Sequence, residues 1–257
     1  MVDIPEIRGA IFDIDDTLLD NNPLVNGEKI LHNNLHQRAK LIAVKRVGEE
    51  KRVQQLIDMT AEESYKAFVE ADVHTIEAGI INMMIRAGLT KNLVEYLEAI
   101  VAEKDRIYGE VLLREGEPVD GAVEFVQGLA KAKGIEDKMA IASTATRSDI
   151  KLFLGKSGLY TFFPDERIKS KESVTRPKPD PEVYRAAFES LGMPGLEGNV
   201  LALEDDPKGI ESARRVGLFV CAITTRYSQE ELEKLKYPPH IIADSYADFS
   251  DTFGLAA

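Results

Sequence analysis

The sequence of 257 residues has a single cysteine, Cys221, so no disulfide can form within the chain. A lone thiol suits a reducing compartment. Its setting in Leu218-Phe219-Val220-Cys221-Ala222-Ile223 reads as a small hydrophobe on a buried strand. Basic residues are the minority: 32 Lys and Arg against 44 Asp and Glu leave a net charge of −12. No basic face is visible, which argues against a nucleic-acid partner. No apolar run approaches the length that spans a bilayer, and residues 1–6 show neither the basic region nor the apolar core of a signal peptide. The expectation is a cytoplasmic monomer with no membrane or nucleic-acid partner. An acidic protein that handles anions must gather positive charge locally, from a metal ion or a few placed lysines.

What is present is organised around Gly9-Ala10-Ile11-Phe12-Asp13-Ile14-Asp15-Asp16-Thr17-Leu18-Leu19-Asp20. Ala10 to Phe12 reads as a buried strand of a parallel sheet, and it runs straight into Asp13, Asp15 and Asp16. Carboxylates crowded at the end of a buried strand share protons or hold a cation. Mg²⁺ is the natural candidate, a hard ion that keeps room for water and phosphate.

After Asp20 the texture changes. Asn21-Asn22-Pro23 and Asn26-Gly27 are turn signals. From Glu28 to Val47, apolar residues recur at three- and four-residue intervals, as on a helix face. Thr60-Ala61-Glu62-Glu63 is a capping box ahead of a segment expected to run as one helix to Arg86. Another helix follows Gly88 and Thr90, with Leu93, Val94, Leu97, Ile100, Val101 and Ile107 on one face. Gly116-Glu117-Pro118-Val119-Asp120-Gly121 ends the helical block and, with 20–23, forms a pair of candidate hinges. Beyond it strands expected at 139–142, 199–203, 218–223 and 240–243 alternate with helices. Such alternation implies a doubly wound parallel α/β sheet. The expected division is an α/β core of 1–20 and 116–257, interrupted by a helical bundle at 21–115.

Ligands of open α/β sheets bind outside the carboxyl ends of the strands. That rule gathers Asp13 and Asp15, then Ser143 and Thr144 after the second strand, then Glu204, Asp205 and Asp206 after the third. Lys178-Pro179-Asp180-Pro181 precedes a proline-started helix. Several carboxylates, one or two hydroxyls and one lysine suit phosphoryl transfer, where an aspartate can be the nucleophile and a second carboxyl the acid and base. A metal between the first strand and the Glu204–Asp205 pair would polarise the phosphoryl group, while Ser143 and Lys178 would supply donors.

The four blocks Asp13-x-Asp15-x-Thr17, Ser143, Lys178-Pro-x-Pro-x-x-Tyr184 and Glu204-Asp205-Asp206-x-x-Gly209 together resemble the haloacid dehalogenase superfamily. The resemblance implies Asp13 as nucleophile and Asp15 as general acid and base. It implies Mg²⁺ held by Asp13, the Asp15 carbonyl and Asp205 with Glu204 nearby, and a phosphate group held by Thr17, Ser143, Thr144 and Lys178. It further implies that the bundle is a mobile cap closing over a small phosphorylated metabolite. Leu35-His36-Gln37-Arg38-Ala39, Lys104 and Tyr108 resemble the cap of the β-phosphoglucomutase-like branch, and His36, Lys104 and Arg147 are candidate substrate contacts. The segment 58–64 lacks the glycine- and arginine-bearing loop a mutase would show. The expected function is therefore a Mg²⁺-dependent phosphatase of small phosphomonoesters, sugar phosphates by preference. A phosphosugar mutase is the alternative, and a non-catalytic phospho-acceptor or binding protein is the rival of another class.

Overall fold

The computed structural model describes residues 3–22, 34–70 and 76–255. Within these, the chain divides into two compact units, one of 1–20 and 117–257 and the other of 21–116.

In the first unit the strands are β1 (Gly9–Phe12), β2 (Leu19–Asp20), β3 (Glu117–Pro118), β4 (Met139–Ala142), β5 (Ile168–Lys169), β6 (Val200–Glu204), β7 (Phe219–Ile223) and β8 (Ile241–Ala243). Six of them form a parallel sheet in the order β5-β4-β1-β6-β7-β8. β1, β4, β6 and β7 are buried along their whole length, as strands covered on both faces must be. Alternation along β1 splits the core. Ile11 packs on one face with Val183, Tyr184 and Ala187 of one helix and Ile210 and Ala213 of another, while Phe12 meets Phe163 edge-on at 5.8 Å. Strand order reverses across β1, with β4 on one side and β6 on the other, so a crevice opens at its carboxyl end.

β5 was not expected. Two residues, Ile168-Lys169, are too few for any period to show. Nor was the antiparallel pair of β2 and β3, in which Leu19 faces Pro118 and Asp20 faces Glu117. It ties together the points where the chain leaves this unit and returns to it.

The second unit is helical: α1 (Leu35–Lys51), α2 (Gln54–Ile57), α3 (Ala61–Val69), α4 (Ile76–Arg86) and α5 (Leu93–Glu115). Asn34 caps α1 by accepting from the Gln37 N–H at 2.8 Å. The expected start of that helix near Glu28 lies outside the described residues. α1 and α5 run antiparallel, with ion pairs Arg38–Glu115, Arg46–Glu103 and Lys51–Glu95 in register along them. The capping box forms as expected, Thr60 Oγ1 accepting from Glu63 N–H and Glu63 from Thr60 N–H. The single helix expected from Thr60 to Arg86 is instead two. Glu70 leaves the helical conformation, and α4 returns against α3, where Asn82 donates to the Ala67 carbonyl. Gly79 lets the two helices approach, since a Cβ there would sit 2.8 Å from the Phe68 ring. A period of 3.6 registers the apolar faces of both helices but carries no mark of the reversal between them.

The remaining helices of the first unit are α6 (Ala122–Lys133), α7 (Arg147–Lys156), α8 (Glu182–Ser190), α9 (Pro207–Val216), α10 (Gln229–Glu233) and α11 (Tyr246–Phe253). Thr146 caps α7 and Asp206 caps α9 ahead of Pro207, as their sequence signals predict. Among the described residues no helix is long and apolar enough to cross a membrane.

Candidate active site

The first strand ends in a tight turn. The N–H groups of Thr17, Leu18 and Leu19 all point to the Ile14 carbonyl, and Asp16 stands in the left-handed region at φ 57°, a conformation aspartate tolerates. Thr225 Oγ1 donates to the Asp16 carbonyl and Tyr246 OH to the Thr17 carbonyl, pinning the turn from two other elements. Asp13 is held in line with the sheet by its N–H to the Leu203 carbonyl. Phe12 is in register with Leu203, so Asp13 faces Glu204.

Lys178 joins them. Its Nζ lies 2.6 Å from Asp13 Oδ1 and 2.6 Å from Glu204 Oε1. The loop carrying it is fastened to α9, with Ser212 Oγ donating to the Asp180 carbonyl and Arg215 to the Pro179 carbonyl. Glu204 is engaged on both oxygens. Lys178 and Tyr184 OH donate to Oε1, and the N–H groups of Asp205 and Asp206 donate to Oε2. It thus acts on the site by fixing Lys178 and the Asp205 backbone. Gly209 explains how this is possible: a Cβ at that position would fall inside the Glu204 carboxylate. Gly209→Ala is expected to expel Glu204, lower the melting temperature and cost about 100-fold in turnover, the usual effect of an ångström of misplacement. Unchanged turnover would show that Glu204 does not set the geometry.

Asp13, Glu204 and Asp205 are all buried, and one oxygen from each lies within 4.8 Å of the others. Asp205 Oδ1 accepts from Thr17 Oγ1 at 3.0 Å, whereas its Oδ2 is buried with no hydrogen-bond partner among the described residues. Burial pushes the Asp13 carboxyl well above the ordinary range; Lys178 opposes this, and the charges of Glu204 and Asp15 add to it. Burial likewise raises Asp205, with Glu204, Asp13 and Asp16 adding and Arg226 opposing. For Lys178, burial works against the ammonium, but the two carboxylates outweigh it and its pKa rises. Three buried carboxylates against one buried ammonium leave an excess of negative charge. A buried carboxylate oxygen that accepts no hydrogen bond, with the Arg226 guanidinium 3.6 Å away, is what a hard divalent cation coordinates. The donor set fits Mg²⁺.

The other expected site residues have the following partners. Thr17, expected among the phosphate donors, gives its hydroxyl to Asp205. Arg147, expected to touch substrate, donates to the carbonyls of Asp165 and Ile168 and so braces the segment ahead of β5. Ser143 is buried beyond β4, its Oγ accepting from the Ala145 N–H, which leaves its proton to donate. Thr144 beside it is exposed. His36 and Lys104 belong to the helical unit, where His36 stacks on Tyr108 at 4.2 Å and Lys104 lies 5.1 Å from the same ring.

Two groups escaped the sequence reading. Tyr184 appears in the Lys178 block, but nothing in its spacing says that its hydroxyl reaches Glu204. Arg226 follows β7 and lies 3.6 Å from Asp205, 3.7 Å from Asp16 and 3.3 Å from Asp206. An arginine beyond an unremarkable strand gives no signal of its own.

A family model for haloacid dehalogenase-like hydrolases matches residues 7–217, which takes in Asp13, Ser143, Lys178 and Asp205. The chain belongs to the haloacid dehalogenase-like hydrolases. Among curated members it is 34% identical over 114 residues to Protein CbbY of Rhodobacter capsulatus, a match covering 42% of this chain and 46% of that protein. It is 28% identical over 114 residues to validoxylamine A 7'-phosphate phosphatase of Streptomyces hygroscopicus subsp. limoneus, covering 44% and 50% respectively. The matches thus span about half the length of these relatives. Among solved structures, the hydrolase shares its fold with CbbY from Rhodobacter sphaeroides in complex with phosphate, at TM-score 0.59 and 20% identity over 95% of this chain and 96% of that one. It likewise resembles a family IA, variant 3 hydrolase from Entamoeba histolytica, at TM-score 0.66 and 18% identity over 94% and 95%.

Proposed function

We propose that this hydrolase is a Mg²⁺-dependent phosphatase of small phosphomonoesters, sugar phosphates by preference, working through an aspartyl-phosphate on Asp13. The observation that carries the reading is the buried set of Asp13, Lys178, Glu204 and Asp205 beyond β1, with Asp15 two residues after Asp13 in the chain. Lys178 holds Asp13 Oδ1, which fixes the carboxylate so that its other oxygen faces the incoming ester. That oxygen attacks phosphorus, the P–O bond to the alcohol breaks, and Asp15 gives its proton to the departing oxygen. Asp15, now a carboxylate, takes a proton from water, which attacks the same phosphorus and frees phosphate and Asp13. Ser143 and Lys178 donate to the phosphoryl oxygens throughout. Asp13, the Asp15 carbonyl and Asp205 would hold Mg²⁺, which when bound neutralises charge on the transferring group.

The name of the Streptomyces relative, a phosphatase, favours water over a second sugar as acceptor. The proposed setting is that of a cytoplasmic monomer acting on a soluble metabolite. Phosphate release from a panel of phosphorylated metabolites is the direct test. Release is expected with Mg²⁺, to fall by about 100-fold or more in excess EDTA, and to return on adding Mg²⁺. Undiminished release in EDTA would remove the metal from the mechanism. A sugar 1-phosphate supplied with a bisphosphate primer separates the mutase, which would return isomerised sugar phosphate in place of free phosphate. Phosphorylation of Asp13 without turnover on any ester would mark a phospho-acceptor instead.

A further inference from the structure

Buried carboxylates need countercharge whether or not an ion is bound among them. Lys178 supplies it to Asp13 and Glu204. For Asp205 the flanking cation is Arg226, in the turn after β7, whose guanidinium stands 3.6 Å from Oδ2. The guanidinium is held there by its neighbours. It donates to Asp206 Oδ2 at 3.3 Å, pairs with Asp16 at 3.7 Å and lies 5.5 Å from the centre of the Tyr227 ring. One residue earlier, Thr225 Oγ1 donates to the Asp16 carbonyl at 2.6 Å. The turn after β7 is thus fastened to the turns after β1 and β6, and these fastenings fix Arg226 beside Asp205.

Two features set Arg226 apart from Lys178. The first is distance. At 3.6 Å the guanidinium lends its charge to Asp205 Oδ2 without a hydrogen bond, so the oxygen keeps its lone pairs for a metal ion. The second is exposure. The Lys178 side chain is 8% exposed and that of Arg226 41%, so Arg226 meets the carboxylates from the solvent side. A guanidinium stays protonated in proteins, so its charge is always present. It attracts Asp205, and for the same reason it repels a divalent ion bound to Asp205. Between charges a few ångströms apart that repulsion is well above thermal energy, even at an effective dielectric of about 20.

We propose that Arg226 is a built-in competitor of the metal ion. It offsets the charge of Asp205 in the metal-free protein and lowers the affinity of the site for a divalent cation, so that the ion is exchanged with solution rather than held. Turnover then answers to the concentration of free Mg²⁺. The inference rests on the metal-dependent reading above and adds to it the residue that sets how firmly the ion is held. If Arg226 instead served to orient Asp205 for the ion, its removal would change the affinity in the opposite direction.

The test titrates Mg²⁺ by calorimetry into the metal-free full chain, with thermal denaturation in EDTA and in saturating Mg²⁺ beside it. Arg226→Gln is expected to tighten Mg²⁺ binding by about tenfold or more. Arg226→Met, equally neutral, is expected to do the same, and either variant decides the matter should the other fold poorly. Arg226→Lys keeps a positive charge and is expected to stay within about threefold of the parent. In EDTA the neutral variants are expected to melt below the parent. Saturating Mg²⁺ should narrow or reverse that gap, since the chain that binds the ion more tightly gains more from it. An equal deficit in both conditions marks a merely structural role and overturns the inference. Mg²⁺ binding that is unchanged or weaker in the neutral variants also overturns it, while the metal-dependent reading stands as long as the parent binds the ion. Failure of the parent and every variant to bind Mg²⁺ would remove the metal from that reading and the competitor role with it.

Discussion

Asp13→Asn is expected to abolish phosphate release, with a loss of about 10⁴-fold or more, the scale on which removing an enzymatic nucleophile acts. The substitution keeps the shape of the side chain and deletes its charge. Because burial and the neighbouring carboxylates already hold Asp13 well above its ordinary pKa, a neutral amide fits the folded state at least as well as the carboxylate. The melting temperature is therefore expected to stay within a few degrees or to rise. Thermal denaturation beside a phosphate-release assay separates chemistry from folding. Retention of more than about a hundredth of the activity would mean that another group attacks phosphorus.

Lys178→Met should be damaging in the opposite way, through folding as well as turnover. The ammonium lies 2.6 Å from carboxylates on two different strands, and removing it leaves Asp13, Glu204 and Asp205 buried with no ammonium among them. Breaking a buried ion pair from one side costs about 3–5 kcal/mol, a large share of the roughly 5–15 kcal/mol that holds a domain together. For a chain of this size that corresponds to a fall of about 10 °C in melting temperature, measured without added Mg²⁺. The deficit has a definite pH dependence. A carboxyl whose folded pKa is raised destabilises the fold increasingly as pH climbs from its unfolded pKa to the raised one. The gap between variant and parent is thus expected to widen from acid to neutral pH. A variant as stable as the parent at neutral pH would show that Lys178 does not bridge these carboxylates.

Much of the candidate site was legible along the chain because its residues follow local signals. Asp13 and Asp15 follow directly on an apolar run, and Glu204 and Asp205 follow another. Parallel strands deliver whatever comes after them to one edge of the sheet. Roles, in contrast, depend on partners. Glu204 stands with Asp13 and Asp205 in the carboxylate group that could hold a metal, and its oxygens also accept from Lys178, Tyr184 and two backbone N–H groups. That the Thr17 hydroxyl donates to Asp205, 188 residues away, has no mark in the sequence. Arg147 is a cation on a helix start in sequence and a brace for two carbonyls in space.

The chain's order of residues by itself settled the alternation of strands and helices, the helical insertion and the acidic strand ends, since hydrophobic period and capping act over a few residues. Only the folded arrangement decided the reversal between α3 and α4, the two-residue β5, the room that Gly209 leaves for the Glu204 carboxylate and the placing of Lys40 away from any described carboxylate. Each of those is a meeting of groups far apart along the backbone. A side chain carries its charge wherever it goes, but what that charge does is set by which neighbours exclude water from it.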